Sequence, residues 1–251
     1  MPSTNSFLRI CVSATNAETH RRRNPPRPLV ITIDGPAGVG KSTVAKRLAK
    51  RLGLLYLDTG ATYRSLAYAA LRANLNPITD AKQVARLAQT LPLQLRQDPR
   101  VGLRVFVGGA EVTTKIRTEE VTEAAAQVSQ EPAVRAAMVA LQRRLANHQG
   151  VVVEGRDTGS VVFPRARHKF FLDADPLVRA RRRQSELAHL YGTKPPITQV
   201  KEQLHFRDHL DRNRRVGPLV KPRGAVTIDT THRTIPRVIR VMLQHIARCG
   251  E

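Results

Sequence analysis

Short apolar runs alternate with longer amphipathic stretches along the chain from residue 29 onward. The runs LVITID (29–34) and LLYLD (54–58) are short and rich in branched apolar residues, as is typical of buried strands. The stretch KSTVAKRLAKRLG (41–53) repeats its apolar side chains at helical spacing and ends on a glycine, which favours a helix. Because strands separated by helices pair in parallel through right-handed crossovers, the pattern predicts an α/β fold with a doubly wound parallel sheet.

The same alternation continues after residue 150 and completes the predicted core. In chain order, the further elements are a helix at 60–74, strands at 150–155 and 168–173, arginine-rich helices at about 176–190 and 198–215, a strand at 224–229 and an amphipathic helix at 234–250. At 251 residues the chain is long enough for one sizeable core with attachments.

The alternation breaks between residues 76 and 149, where LPLQLRQ and LRVFVGGAEVT are predicted as hairpin strands. Gly108 and Gly109 would supply the positive backbone dihedrals of a tight turn. Two helices are predicted to follow, at about 119–127 and 133–147. We interpret this segment as an insert at the sheet edge that shapes a substrate pocket, which leaves 29–75 and 150–251 as the core.

Residues 1–28 contain THRRRNPPRP, which is basic, rich in proline and without a hydrophobic period. Such a segment cannot bury enough surface to offset the entropy of ordering, so we expect a disordered extension. No apolar run approaches the ~20 residues of a membrane span, and the first residues lack the apolar centre of a secretory signal. We therefore expect a cytoplasmic protein without a membrane partner, in which Cys11 and Cys249 are free thiols.

The net charge of the chain is strongly positive, with 42 Lys+Arg against 20 Asp+Glu, a formal +22 and a sequence pI near 11.4. Such a balance is typical of nucleic-acid binders, but arginines that serve a phosphate-handling pocket and an arginine-rich genome also account for it. Residues 177–223 carry twelve basic and four acidic side chains, hence +8. Aromatic residues are only 4% of the chain and Trp is absent, so the stacking platform of a nucleic-acid binder is missing and a nucleic-acid partner is not expected.

The sequence IDGPAGVGKST, residues 33–43, fits the phosphate-loop pattern G-x-x-x-x-G-K-[ST] between a predicted strand and a predicted helix. Backbone N–H groups of such a loop surround phosphate oxygens at a helix N-terminus. Lys41 would reach the β- and γ-phosphates, and the Ser42 hydroxyl would ligate Mg²⁺ that accompanies ATP. The predicted phosphate-binding residues are Gly35, Pro36, Ala37, Gly38, Val39, Gly40, Lys41, Ser42 and Thr43. The loop alone leaves hydrolysis, signalling and phosphoryl transfer open.

Polar and cationic residues follow two further strands at the same predicted edge of the sheet. Thr59 and Arg64 come after the second strand, and Arg156 and Asp157 come after the strand at 150–155. Ligands of open α/β sheets bind at this carboxyl edge. A second, cationic pocket is what a small-molecule kinase needs to bring an anionic acceptor against the γ-phosphate.

Arg207, Asp211 and Arg214 are spaced i, i+4 and i+7, which is one stripe of a helix. The stripe is consistent either with a wall of the acceptor pocket or with an ordinary surface salt bridge. A small-molecule kinase that acts on another acceptor, such as UMP or AMP, and a basic nucleic-acid binder regulated by ATP remain alternatives at this point.

Three motifs, DTGATYR, GRDTG and RDHLDRNR, occur in this order together with the phosphate loop. In this combination the chain from about residue 29 to its C-terminus resembles the bacterial-type cytidylate kinases, which transfer the γ-phosphoryl group of ATP to CMP and dCMP. The resemblance implies a P-loop kinase fold with an inserted subdomain for the nucleoside monophosphate and a mobile lid at about 179–198. It also implies ATP and CMP or dCMP as partners, and we expect a monomer.

The resemblance assigns roles to matching positions. Thr59 and Arg64 would bind the acceptor, with Arg64 facing the CMP phosphate and Arg156 beside it. Arg135 and Asp157 would read the cytosine. Arg207 and Asp211 would hold the sugar hydroxyls, and Arg214 would complete that pocket.

The lid arginines implied by the resemblance are Arg179, Arg182 and Arg183, followed by the loop YGTKPPIT. We predict Lys41, Arg179 and Arg182 as the catalytic residues. One position departs from the family pattern: Ala126 stands where the family often has a serine that contacts cytosine, with Ser129 one turn away.

Overall fold

The computed structural model describes residues 28–98, 100, 102–146, 150–192 and 194–248. The extension predicted for residues 1–28 lies outside this part of the chain except for residue 28, as do Cys11 and Cys249. In chain order the strands and helices are β1 (Val30–Asp34), α1 (Lys41–Leu52), β2 (Leu55–Asp58), α2 (Thr59–Arg72), α3 (Ala81–Thr90), β3 (Leu93–Asp98), β4 (Gly102–Val107), β5 (Ala110–Glu111), α4 (Glu119–Val128), α5 (Pro132–Leu145), β6 (Val151–Gly155), β7 (His168–Asp173), α6 (Pro176–Tyr191), α7 (Ile197–Asn213), β8 (Val226–Asp229) and α8 (Ile235–Arg248).

A five-stranded parallel sheet in the order β2-β6-β1-β7-β8 forms the centre of the fold. Its apolar side chains Ile31, Ile33, Val152 and Phe170 are fully buried, as the short branched runs predict. The register aligns the carboxyl ends of three strands, because Asp58 lies opposite Glu154 on β6 and the end of β1 pairs with Gly155. The predicted α/β class with a parallel sheet is confirmed.

Helix α1 begins directly after the phosphate loop and covers the sheet with its apolar side. Val44 and Leu48 are fully buried, while Lys50 and Arg51 lie in the last turn, where cations are favoured by the helix dipole. Gly53 ends the helix in the left-handed conformation and donates its N–H to Ala49 O, as the predicted stop requires.

The segment between residues 76 and 149 contains a second, antiparallel sheet in the order β3-β4-β5. Gly108 and Gly109 form its tight turn with φ of 57° and 82°, which confirms the predicted hairpin. Gln97 Nε2 donates to Tyr56 O at 2.8 Å and so ties β3 to the edge strand β2. One hydrophobic core runs from the central sheet into this segment, so the insert extends the main core.

Helix α3 corrects the sequence-based prediction, which placed no helix before the first hairpin strand. Its buried residues Val84, Ala85 and Ala88 do follow helical spacing, but two of the three are alanines, which contribute little to an apolar pattern. The helix packs on α5.

Helices α6 and α7 pack on each other through a small apolar cluster of Ala180, Val200 and Leu204, which also includes Ala37 of the phosphate loop. This cluster is separate from the main core. The predicted lid thus consists of the first arginine-rich helix and the following connection, of which Thr193 lies outside the described residues. Within the described ranges, every helix is too short or too polar to cross a membrane.

Candidate active site

The phosphate loop fills the space between β1 and α1, and close backbone contacts fix its glycines. Gly35 has φ 147°, and a Cβ atom there would lie 2.1 Å from Leu172 O. Gly38 has φ 79°, and its Cβ would lie 2.9 Å from Arg179 O. Since neither position has room for a side chain, the loop depends on glycine at both.

Lys41, the first residue of α1, is 6% exposed and donates from Nζ to Pro36 O at 2.6 Å. Burial, together with the nearby positive charge of Arg156, lowers the pKa of Lys41 to about 7, although Glu154 acts in the opposite direction. The ammonium group is therefore held against the loop without a carboxylate in direct ion-pair contact among the described residues. A nearby anion, such as a bound phosphate, would stabilise the charged form of this amine.

Glu154 lies at the carboxyl end of β6 beside the phosphate loop, and sequence reasoning did not assign it a role. Its Oε1 accepts from the Tyr56 hydroxyl at 2.9 Å, and Ser42 lies nearby in the lining of the same cleft. Burial and the neighbouring carboxylate of Asp58 raise the pKa of Glu154. The sequence contains a signal for this residue, because an acidic side chain stands at the end of a predicted buried strand, immediately before Gly-Arg-Asp.

Asp34 is a second residue that sequence reasoning passed over. It is fully buried at the end of β1 and accepts from Thr158 N at 2.7 Å, from Thr158 Oγ1 at 2.8 Å and from Gly159 N at 2.8 Å. These hydrogen bonds hold the turn after β6 against β1. Asp34 thereby positions the loop that carries Arg156 and Asp157.

A cleft of about 680 Å³ joins the phosphate loop to the predicted acceptor residues. The predicted residues that line it are Ala37, Gly38, Gly40, Lys41, Ser42, Thr43, Thr59, Arg64, Arg156, Asp157, Arg182, Arg183, Arg207, Asp211 and Arg214. Gly35, Pro36 and Val39 belong to the loop but do not line the cleft. Arg135 and Arg179, which were also predicted as site residues, do not line it either. Lys46, Arg117 and Arg233 add cations to the lining that sequence reasoning did not assign.

Thr59 and Arg64 lie at the start of α2, where Asp58 caps the helix. Asp58 accepts from Ala61 N at 2.9 Å and from Arg64 Nη2 at 3.0 Å. Burial opposes ionisation of Asp58, but Arg64 and the Ala61 N–H outweigh it and lower the pKa of Asp58. The Thr59 hydroxyl donates to Glu154 O at 2.8 Å, so its oxygen lone pairs remain available to a ligand.

Arg135 and Asp157 form a buried ion pair behind the cleft wall. Arg135 is 1% exposed, also donates to Ser129 O at 3.4 Å, and lies with its guanidinium carbon 5.7 Å from the Tyr63 ring centroid. Arg214 Nη2 lies 3.6 Å from the other Asp157 oxygen. Asp157 therefore pairs with one arginine behind the cleft wall, Arg135, and lies near a second that lines the cleft, Arg214.

The stripe of Arg207, Asp211 and Arg214 faces the cleft, and Arg214 Nη1 lies 3.5 Å from Asp211 Oδ1. The stripe thus contains an ion pair, but this pair is buried and is not the exposed surface salt bridge of the alternative interpretation. Asp211 Oδ2 accepts from Arg156 Nε at 2.7 Å and links α7 to the loop after β6. Arg207 has no ion-pair partner among the described residues. Burial and the charge of Arg156 lower the pKa of Arg207 to about 10, against the effect of Asp211.

The predicted lid arginines have three different environments. Arg179 is buried, and its Nη1 donates to Ala37 O at 3.1 Å and to Asp208 Oδ2 at 2.6 Å. Arg182 lines the cleft and donates to Thr230 O at 2.7 Å, while Arg183 is paired with Glu186 at 2.9 Å. The structure therefore does not bring Arg179 to the cleft, and its catalytic role stays a prediction.

A glycine-rich phosphate loop at the carboxyl edge of a parallel sheet, open to a cleft lined by cations, defines a P-loop nucleotide-binding protein of the kinase type. A sequence model of the family described as cytidylate kinase matches residues 31–248. The chain belongs to the cytidylate kinase family.

Two relatives named cytidylate kinase agree with this assignment. A cytidylate kinase of Symbiobacterium thermophilum is 43% identical over 222 residues, which cover 88% of this chain and 97% of that protein. A cytidylate kinase of Mycolicibacterium paratuberculosis is 46% identical over 212 residues, or 84% of this chain and 92% of that protein. Among solved structures, a shikimate kinase from Bacteroides thetaiotaomicron covers 87% of this chain and 98% of that chain with a TM-score of 0.44 and 13% identity.

Proposed function

We propose that the protein transfers the γ-phosphoryl group of ATP to CMP or dCMP, giving ADP and CDP or dCDP. The observation that carries the proposal is the single cleft in which the phosphate loop faces the acceptor residues implied by the family. Donor and acceptor would thus be held together, which converts a bimolecular reaction into one within a complex.

On the donor side, backbone N–H groups of residues 35–43 would bind the ATP phosphates and Lys41 would bind the β- and γ-phosphates. Mg²⁺ commonly uses one or two protein oxygens and completes its shell with phosphates and water. The Ser42 hydroxyl with the neighbouring Glu154 carboxylate fits that donor set, although the described residues contain no group of three acidic or metal-binding side chains. When bound there with ATP, Mg²⁺ would neutralise charge on the phosphates.

On the acceptor side, Arg64 and Arg156 would bind the CMP phosphate, with Thr59 as a further polar contact. Arg207 has no carboxylate in ion-pair contact among the described residues, so it is more available to a polar or anionic group of a ligand than its paired neighbours. With Asp211 and Arg214 it would hold the sugar. Since the acceptor oxygen belongs to an ionised phosphate, the reaction needs charge neutralisation and alignment but no strong general base.

We further propose that residues 76–149 act as the monophosphate-binding insert and residues 179–198 as the lid, on a core of residues 29–75 and 150–251. The Tyr191 hydroxyl donates to Arg117 O, which joins the end of α6 to the insert across the cleft. Arg182 and Arg183 line the cleft and would spread the charge of the transferred phosphoryl group. Arg179 would join them only after leaving Asp208. The monomeric state, the cytoplasmic location and the absence of a nucleic-acid partner stay predictions.

A comparison of CMP, dCMP, UMP and AMP as acceptors tests the proposed function. We expect CMP and dCMP to be phosphorylated with kcat/KM at least about tenfold above UMP and AMP, because a site that hydrogen-bonds the substrate base rejects bases lacking the matching groups. The measurement is an ADP-coupled assay with ATP and Mg²⁺. Equal values for CMP and UMP would contradict cytidylate specificity, and phosphorylation of AMP alone would assign a different kinase.

ATP binding should take up a proton at pH 8, because the pKa of Lys41 in the free protein is about 7. Above pH 7 the amine is mostly neutral, and bound phosphates favour the ammonium form. The ATP affinity should therefore fall as the pH rises above 7, by up to about tenfold per pH unit. Below pH 7 Lys41 is already charged, and the uptake should vanish.

Titration calorimetry in two buffers with different ionisation enthalpies measures this proton uptake. A Lys41→Met variant is the matched comparison, because the difference between the two proteins isolates the contribution of this amine from that of ATP itself. Identical proton uptake by both proteins at pH 8 would show that Lys41 is not the group that titrates.

A further inference from the structure

The end of α4 and the turn after it form a wall of the cleft with two polar side chains, Ser129 and Gln130. Ser129 is linked to the buried Arg135, whose Nη1 donates to its carbonyl oxygen at 3.4 Å. Gln130 is the next residue and is partly exposed in the cleft. This wall therefore lies beside the Arg135–Asp157 pair, which the resemblance to the cytidylate kinases assigns to the base of the acceptor.

One backbone carbonyl fixes the orientation of the Gln130 amide. Ala126 O accepts from Gln130 Nε2 at 3.3 Å and from Ser129 Oγ at 2.8 Å, which uses both of its lone pairs. A carbonyl oxygen can only accept, so the amide nitrogen and not the amide oxygen must face it. Gln130 Oε1 thus points away from Ala126, and no donor in the described ranges of the chain contacts it.

The exocyclic amine of cytosine carries two N–H donors, and each needs an acceptor when the base is enclosed. Asp157 can supply one, although Arg135 already occupies its Oδ2. Uracil differs from cytosine by presenting an oxygen at the same position. An acceptor fixed beside Asp157 would pair with the amine of cytosine and face an unpaired oxygen in uracil.

We infer that Gln130 is a specificity-determining residue, whose amide oxygen accepts a hydrogen bond from the exocyclic amine of the acceptor base and so favours CMP and dCMP over UMP. The inference rests on the proposed function and deepens it. The side chain at position 126 is a methyl group, so the contribution of this helix to base selection comes from the residue four positions later, oriented by the backbone of Ala126.

This inference can be tested by a double-mutant cycle that combines one change in the protein with one change in the substrate. Gln130→Met keeps the length of the side chain but removes the acceptor. The substrate variant is the monophosphate of 2-pyrimidinone riboside, in which hydrogen replaces the amine of cytosine. In the wild type, loss of the amine should lower kcat/KM by about three- to tenfold for this contact, as expected for one neutral hydrogen bond.

In Gln130→Met the same change of substrate should lower kcat/KM by about three- to tenfold less than in the wild type, since the coupling between the two groups has been removed and any contact of the amine with Asp157 is common to both proteins. The ratio of kcat/KM for CMP to that for UMP should fall by about three- to tenfold. Gln127→Met is the matched control, because Gln127 is an exposed residue near the end of α4, three positions before Gln130, and does not line the cleft. A purely structural role of Gln130 would lower the activity with CMP and with its analogue equally.

Equal sensitivity of the wild type and Gln130→Met to loss of the amine would overturn the inference. So would loss of this sensitivity in Ser129→Ala with Gln130→Met unaffected, because the acceptor would then be the serine hydroxyl. The proposed function fails separately, if the wild type phosphorylates neither CMP nor dCMP.

Discussion

Replacement of Lys41 by alanine should reduce turnover by at least about 10²–10³-fold while the fold survives, because a preorganised cation beside the transferred phosphoryl group stabilises the charge of the transition state. In the free protein, Nζ of this lysine contacts only the Pro36 carbonyl among the described residues. The depressed pKa shows that burial disfavours the ammonium form at neutral pH. By linkage, a lysine whose folded pKa lies below its unfolded value destabilises the folded state at pH 7, so its removal should not lower the melting temperature.

Steady-state turnover with saturating ATP and CMP, together with thermal unfolding, measures both parts of this expectation. Lys50→Ala is the control, since Lys50 is an exposed residue in the last turn of the same helix and does not line the cleft. Turnover of Lys41→Ala within about tenfold of the wild type would contradict the role of Lys41, given the size of the effect expected for a transition-state contact.

The elements of the central sheet could be predicted because their signals are local. A buried strand such as Val30–Asp34 is a short apolar run, and Gly35, Lys41 and Ser42 follow it at fixed spacing. The carboxyl edge that gathers Thr59 and Asp157 follows from parallel pairing alone. Helix α3 escaped prediction because its buried side is mostly alanine.

The burial of individual charged residues could not be predicted from spacing. Arg135 and Arg179 are both conspicuous arginines in the sequence, but the structure places them behind the cleft wall in ion pairs with Asp157 and Asp208. The spacing of residues predicts which face of a helix a side chain occupies. It does not predict which carboxylate of a distant element forms an ion pair with that side chain. Asp34 was missed for the same reason, since its partners lie more than 120 residues away.

Removal of the Asp157 carboxylate should raise the KM for CMP by about 10²-fold or more, because truncating one member of a buried, hydrogen-bonded charge pair in a binding site removes the contact and leaves its partner uncompensated. The KM for ATP should change by less than about threefold, since Asp157 has no contact with the phosphate loop among the described hydrogen bonds and effects at separate sites are nearly independent. Asp157→Ala and initial rates with each substrate varied in turn provide the measurement.

Stability limits this experiment, because Arg135 is 1% exposed and would lose its carboxylate partner. Breaking a buried pair in this way costs about 3–5 kcal/mol of folding free energy. Asp157→Asn keeps the shape and an acceptor for Arg135 but removes the charge, so it decides the question if the alanine variant does not fold. Its KM for CMP should still rise by about tenfold or more, as expected for a lost charge-assisted hydrogen bond.

Glu111→Ala, which breaks the exposed Arg104–Glu111 pair in the insert, should leave both KM values unchanged. Unchanged CMP kinetics in a folded Asp157 variant would remove Asp157 from the base pocket, and Arg135 would then serve the fold rather than the substrate.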